Sequence, residues 1–170
     1  MLCGEMTTMP KILVFYYTRT GHTEKMAELI AEGMREVKGV QVDLARVPGL
    51  DVRRWLDYDG LVAGVPVYYG SMPAALKELF DESVEFHGEL KGKLGGAFAS
   101  SANVGGGNET TVLDILHAWI IHGMLVVGDH RNDHYGPVSI GAPDKRATYV
   151  CRSWGSMFGE TAVRLFGPGE

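Results

Sequence analysis

Cysteine is almost missing from this chain. Only Cys3 and Cys151 occur, and they form no Cys-x-x-Cys pair. Neither a disulfide framework nor a cysteine-ligated metal or iron–sulfur centre is therefore indicated, and a reducing cytoplasm is the expected setting. Basic charge is also in short supply. Lys and Arg total 16 against 21 Asp and Glu, a net charge of -5, and no basic stripe interleaved with aromatics argues for nucleic acid as a partner. Long apolar runs are lacking too. The run from Ala118 to Val127 is interrupted by His122 and Gly123, and the first apolar run ends at Tyr17, so no membrane span is expected. The opening Met1–Pro10 has no basic stretch ahead of an apolar core, so no secretion signal is expected either. Gly-x-Gly-x-x-Gly and the Gly-Lys-Ser/Thr ending of a triphosphate loop are both absent, which disfavours pyrophosphate and triphosphate ligands.

What is present suits one domain. With 170 residues and 45% hydrophobic content, a single compact domain over residues 10–170 with a substantial core is expected. Residues 1–9, with Met6 and Met9, read as a leading tail or an alternative start. β-forming runs near residues 11–17, 40–47, 60–65, 94–100 and 124–128 alternate with helical patterns, the signature of a parallel sheet with helices on both faces. The spacing predicts a helix over 22–38 burying Met26, Leu29, Ile30, Met34 and Val37. A second helix opens with Pro73 as its first residue and buries Leu76, Leu79 and Phe80. A third is capped by Asn108 and buries Val112, Ile115, Leu116, Trp119 and Ile120. The last, over 144–166, offers Val150, Trp154, Met157, Phe158, Thr161 and Leu165 to the core.

Three loops follow successive strands and carry unusual chemistry. After the first strand, Thr18-Arg19-Thr20-Gly21-His22-Thr23 offers hydroxyl donors and a close backbone approach at a helix start, where unpaired N–H groups and the helix dipole favour an anion. A phosphomonoester is the expected guest; the competing reading is an ordinary capped turn, with Arg19 pointing into solvent. After the third strand, Tyr68 and Tyr69 stand between Pro66-Val67 and Gly70, as an aromatic wall or as the lid of a turn. After the fourth come Ser101, Ala102, Asn103 and Val104, then Gly105-Gly106-Gly107, small residues that expose backbone donors or form a loose linker. Together they describe a site for flavin mononucleotide, FMN, at the carboxyl ends of the strands.

At these residues the chain resembles the flavodoxin-like superfamily, itself a standard example of that rule. Within it the chain is similar to the WrbA-type NAD(P)H:quinone oxidoreductases, through Tyr17–Thr23, Gly64–Met72, Ser100–Glu109 and His122-Gly123-Met124. The resemblance implies a three-layer α/β/α sandwich with a five-stranded parallel sheet in the order 2-1-3-4-5. It implies that residues 18–23 hold the FMN phosphate, that residues 67–69 line the isoalloxazine and that residues 101–106 meet the ring edge. NAD(P)H would be the electron donor, a quinone or another small acceptor the oxidant, and a homodimer or homotetramer the assembly.

This chain departs from that branch in three places. Ile121-His122 replaces its paired histidines, Phe86 and His87 stand where it carries a tryptophan, and Thr20 stands where it has a tyrosine. His122 and His87 are the candidate catalytic side chains, shaping the acceptor face or delivering a proton, with a structural histidine as the competing reading of His122. A single-electron carrier serving a redox protein partner is the alternative function. A metal site at His130, Asp133 and His134 is a lesser one. A phosphoacceptor receiver domain would need acidic residues where Tyr16 and Tyr17 end the first strand.

Overall fold

A computed structural model describes residues 9–168; most of the expected leading tail, residues 1–8, lies outside them, as do Gly169 and Glu170. The elements run β1 (Lys11–Tyr16), α1 (His22–Arg35), β2 (Gln41–Arg46), β3 (Gly60–Pro66), α2 (Ala74–Glu82), β4 (Leu94–Ser101), α3 (Asn108–Ile121), β5 (Leu125–Val126), β6 (Val138–Ile140) and α4 (Lys145–Phe166). The sheet is parallel in the order β2-β1-β3-β4-β5, as the resemblance implied, with β6 pairing on β4 as well.

Strict alternation in β1 feeds two cores. Ile12, Val14 and Tyr16 join Met26, Ile30 and Met34 of α1 with Trp154 and Phe158 of α4. Leu13 and Phe15 face the opposite way, toward Trp55, Phe80 and Trp119. The flat strand surface is carved for these rings. A Cβ on Gly95 would lie 2.9 Å from Trp119 and one on Gly96 2.6 Å from Trp154, while the Trp119 indole donates to the Gly96 carbonyl at 3.0 Å.

Several local expectations need correction. The helix expected over 22–38 stops at Arg35, leaving Val37 beyond it and only partly buried. Pro73 precedes α2 in extended conformation, with the helix starting at Ala74. Asn108 is the first residue of α3 rather than its cap, because Gly107 takes the left-handed cap position at φ 102°. Ile120 and Leu165 are exposed. The 3-10 turn Val52–Asp57, which buries Trp55, was not expected. The fifth strand, expected over 124–128, is divided: β5 pairs with the start of β4 and β6 with its end. Between them residues 127–137 leave the sheet edge and return at Gly136, where φ is 145° and a Cβ would overlap the Ala97 carbonyl. Among the described residues no helix is long and apolar enough to cross a membrane.

Helices α1 and α4 cross with their backbones nearly touching. A Cβ on Gly155 would overlap the Ile30 carbonyl oxygen, and one on Gly33 the Arg152 carbonyl oxygen. Gly155→Ala is therefore expected to destabilise the fold by about 1–3 kcal/mol through overpacking, while Ser156→Ala, one residue on, leaves it nearly unchanged. Urea unfolding midpoints check both; a Gly155→Ala midpoint equal to the native one would contradict the crossing.

Candidate functional site

The three loops meet at the carboxyl edge of the sheet. Tyr17 donates its N–H to Gly64, and Val67 donates to Ser100, so each loop leaves its strand tied to the next. In the first loop Gly21 adopts φ 91° and caps α1 without any side-chain cap, and its N–H goes to Thr18 Oγ1 at 3.0 Å. Among the described residues the N–H groups of Arg19, Thr20, His22, Thr23 and Glu24 have no protein acceptor. A helix end left this way is an anion site in waiting. Glu24, which would oppose an anion there, is turned aside: it accepts the Tyr16 hydroxyl at 2.7 Å and lies 3.8 Å from Arg46. Burial first, then the Glu24 carboxylate, pushes the Tyr16 phenol up to about 12.

The three threonines divide. Thr18 has its hydroxyl oxygen engaged by Gly21 but keeps a proton to donate, and Thr20 is exposed with Arg19 beside it. Thr23 is buried, its Oγ1 2.9 Å from Ser100 Oγ at the end of β4. The contact ties the first loop to the third, and with Ser100 as its donor the Thr23 hydroxyl keeps a proton for a phosphate. His22, the first residue of α1, is partly buried.

The second loop is a tight hairpin. Tyr68 and Ser71 exchange backbone hydrogen bonds of 3.0 and 3.2 Å, and the two residues between them, Tyr69 and Gly70, have φ of 52° and 79°. Positive φ at both positions is the primed turn that suits a two-residue hairpin, but it is strained for a tyrosine. Tyr69 is the described non-glycine residue that adopts it. The turn thrusts that ring fully into solvent, at 109% relative exposure. Tyr68 lies behind, its ring 6.2 Å from Tyr17 and edge-on; hydrogen bonding to Tyr68 raises the Tyr17 phenol above its ordinary value. Pro66 and Val67 are partly buried at the base.

The third loop packs against the second. A Cβ on Gly107 would lie 2.7 Å from Gly70 Cα, and Thr110 Oγ1, one turn into α3, lies 2.8 Å from the Gly70 carbonyl. Ser71 donates to Asp114 of α3 at 2.6 Å. Sequence reasoning missed Thr110 and Asp114, since helical residues of ordinary polarity give no signal of a loop contact. Ser101 is buried and donates to the Asn103 carbonyl, which also takes the Gly106 N–H at 3.1 Å. Ala102, Asn103, Val104 and Gly105 are exposed, Gly106 partly so. The N–H groups of Asn103, Val104 and Gly105 have no protein acceptor among the described residues.

Two expected site residues lie elsewhere. His122 ends α3, beside Gly92 and the start of β4, and His87 is its neighbour with ring centroids 6.1 Å apart. A helix that follows a parallel strand returns to the amino edge, so the eight residues of β4, about 26 Å at roughly 3.3 Å each, separate both histidines from the loops. Ser83 gives its one proton to the Phe80 carbonyl, so the 2.8 Å contact from His122 Nε2 to Ser83 Oγ makes Nε2 the protonated nitrogen. Nδ1 is buried with no partner. Burial first, then the nearby His87, lowers the His122 pKa; it is a neutral structural imidazole. The lesser metal reading also fails, since among the described residues no group of three His, Cys, Asp or Glu side chains could hold a metal ion. His134 Nδ1 lies 2.7 Å from the Asp129 carbonyl. Burial alone would raise the Asp129 pKa, but hydrogen bonds from the Asn132 side chain and the Arg131 backbone outweigh it and hold it low.

The profile of the family described as flavodoxin matches residues 14–108, β1 through the third loop. The chain belongs to the flavodoxin family. It is 39% identical over 160 residues to a flavodoxin of Aquifex aeolicus, covering 89% of this chain and 86% of the relative. It is 38% identical over 143 residues to an NAD(P)H dehydrogenase (quinone) of Chromohalobacter salexigens, covering 71% of each. The crystal structure of a flavodoxin, WrbA-like protein from Agrobacterium tumefaciens aligns with a TM-score of 0.80 at 23% identity, over 92% of this chain and 99% of the other. These comparisons support the WrbA-type resemblance, and the flavodoxin fold is an FMN-binding one.

The buried His122 gives this flavodoxin-family chain a pH dependence of known sign. Its folded pKa lies below the unfolded value near 6.5, so the unfolded chain takes up the proton first. The stability tied to His122 is complete above about pH 6.5 and is lost as pH falls through the folded value. His122→Gln, which keeps a donor for Ser83, is expected to lose less stability than the native chain between pH 7.5 and 5. Urea unfolding at both pH values tests this, and parallel losses would refute it.

Proposed function

We propose that this protein holds FMN at the carboxyl edge and uses it as an NAD(P)H-dependent quinone oxidoreductase of the cytoplasm. One observation carries the reading: a helix start with its N–H groups unpaired stands beside hydroxyl donors and next to a strained turn that projects Tyr69. That donor set fits a phosphate joined to a flat aromatic ring. When bound, FMN supplies a ring that accepts a hydride from a nicotinamide and passes two electrons to an acceptor. The chain's own residues do the rest. Thr18, Thr20, Arg19 and the first-turn N–H groups of α1 bind the phosphate dianion. Tyr69 covers one ring face, with Tyr68 bracing the turn from behind. Amides of residues 103–105 donate to the ring edge and favour negative charge there.

The moderate net charge of -5 supports a small-molecule reductase over a carrier, whose docking relies on a strongly negative rim. The second reading, a single-electron carrier for a redox protein, is supported by the similarity to a flavodoxin at 39% identity. Ile120, Ile121, Leu125 and Val126, all exposed at the end of α3 and on β5, favour a homodimer or homotetramer.

Purified protein loaded with FMN and mixed with benzoquinone is expected to oxidise NADH or NADPH continuously, one nicotinamide per quinone. No oxidation beyond the free-FMN blank would decide for the carrier. Thr18→Ala and Thr20→Ala are each expected to weaken FMN binding by roughly tenfold, the worth of one hydrogen bond to a charged group. Riboflavin binding should stay unchanged. Fluorescence titration of both ligands checks this, and equal losses for the two would take the phosphate away from this loop.

A further inference from the structure

Among the described residues the excursion 127–137 shares no hydrogen bond with the groups assigned above to FMN, yet its far end is fixed to the strand that supports the third loop. Val138 opens β6 at the sheet edge. Its N–H goes to Asp133 Oδ2 at 2.8 Å, and its carbonyl accepts from Arg146 of α4 at 2.7 Å. The other guanidinium nitrogen of Arg146 donates to Asp133 Oδ1 at 2.8 Å. One ion pair therefore satisfies both backbone groups of an edge residue that would otherwise be left open. Toward β4, Ala99 donates to the Pro137 carbonyl and Gly141 donates to the Ser101 carbonyl at 2.7 Å. Ser139 accepts from the Asn108 side chain across a longer 3.4 Å. Ser101 is the foot from which the third loop departs, and Asn108 is where it lands. Thus β6 supports both feet, and the Arg146–Asp133 pair fixes β6.

We propose that Arg146 and Asp133 act as positioning residues for the ring edge of FMN. Resting on the FMN reading above, the pair holds the third loop so that the free amides of Asn103, Val104 and Gly105 converge on the ring, and so favours the reduced, more negative ring over the oxidised one. Asp133 is mostly buried and Arg146 half-exposed, with side-chain exposures of 18% and 52%. Replacing the arginine therefore removes the pair without opening the core.

The test measures the affinity of the native chain, Arg146→Gln, Asp133→Asn and the double variant for oxidised FMN and for riboflavin, together with the reduction potential of bound FMN. Native affinity for FMN is read first, and no binding there would overturn the FMN reading and the proposal with it. Each single variant is expected to weaken both flavins alike, since the phosphate loop is untouched. Its potential should move negative, equivalent to an extra loss of about tenfold in affinity for the reduced form. The double variant should fall no further than the weaker single one, since the two side chains act as a unit, and Arg146→Lys should recover part of the shift. A native potential in the variants, even with lowered urea midpoints, would show a purely structural ion pair and overturn the proposal. So would losses that add in the double variant.

Discussion

Strand β1 lies between β2 and β3, so the chain leaves it on one side by way of α1 and crosses to the other side before β3. That reversal forces the loops after β1 and β3 apart and opens a crevice at the carboxyl edge, the rule for open parallel sheets of which flavodoxin is itself a standard example. The crevice is where backbone polar groups can stay unpaired and still be wetted. Every assigned donor lies along it: the first turn of α1, the Tyr68–Ser71 hairpin and the residues after β4. The two aromatic cores beneath are packed so closely that glycines stand where rings pass, which keeps the loop anchors fixed relative to one another.

The loops are coupled to each other rather than merely adjacent. Thr23 meets Ser100, Thr110 meets Gly70 and Ser71 meets Asp114, so the three loops hold one another in place. The positive φ of Tyr69 persists because the hairpin hydrogen bonds and the close approach of Gly107 to Gly70 leave that turn few alternatives. Strain concentrated at one ring-bearing turn is the kind expected where a ligand is gripped.

Much of this was legible in residue order. The alternation of β1, the apolar stripes of α1 and α2, and the hydroxyl, aromatic and glycine character of the three loops all follow from local periodicity and turn chemistry. The division of the fifth strand was not legible, because Leu125-Val126 and Val138–Ile140 are both ordinary β-formers and only their contact with β4 decides which pairs where. Gly107 displaced Asn108 as the cap through a left-handed backbone that residue identity leaves open. For His122 residue order left two readings open, proton delivery or a structural histidine near the helix end, and the parallel crossover, which sends the end of α3 to the far edge, favours the second.

On the proposed function, the start of α1 recognises a phosphate dianion rather than a ring alone. Calorimetric titration of the native chain with FMN and with riboflavin, each with and without excess inorganic phosphate, tests it most directly. FMN is expected to bind at least about a hundredfold more tightly than riboflavin, as several charge-assisted hydrogen bonds would give, and phosphate is expected to compete with FMN alone. Equal affinities for the two flavins, indifferent to phosphate, would contradict it.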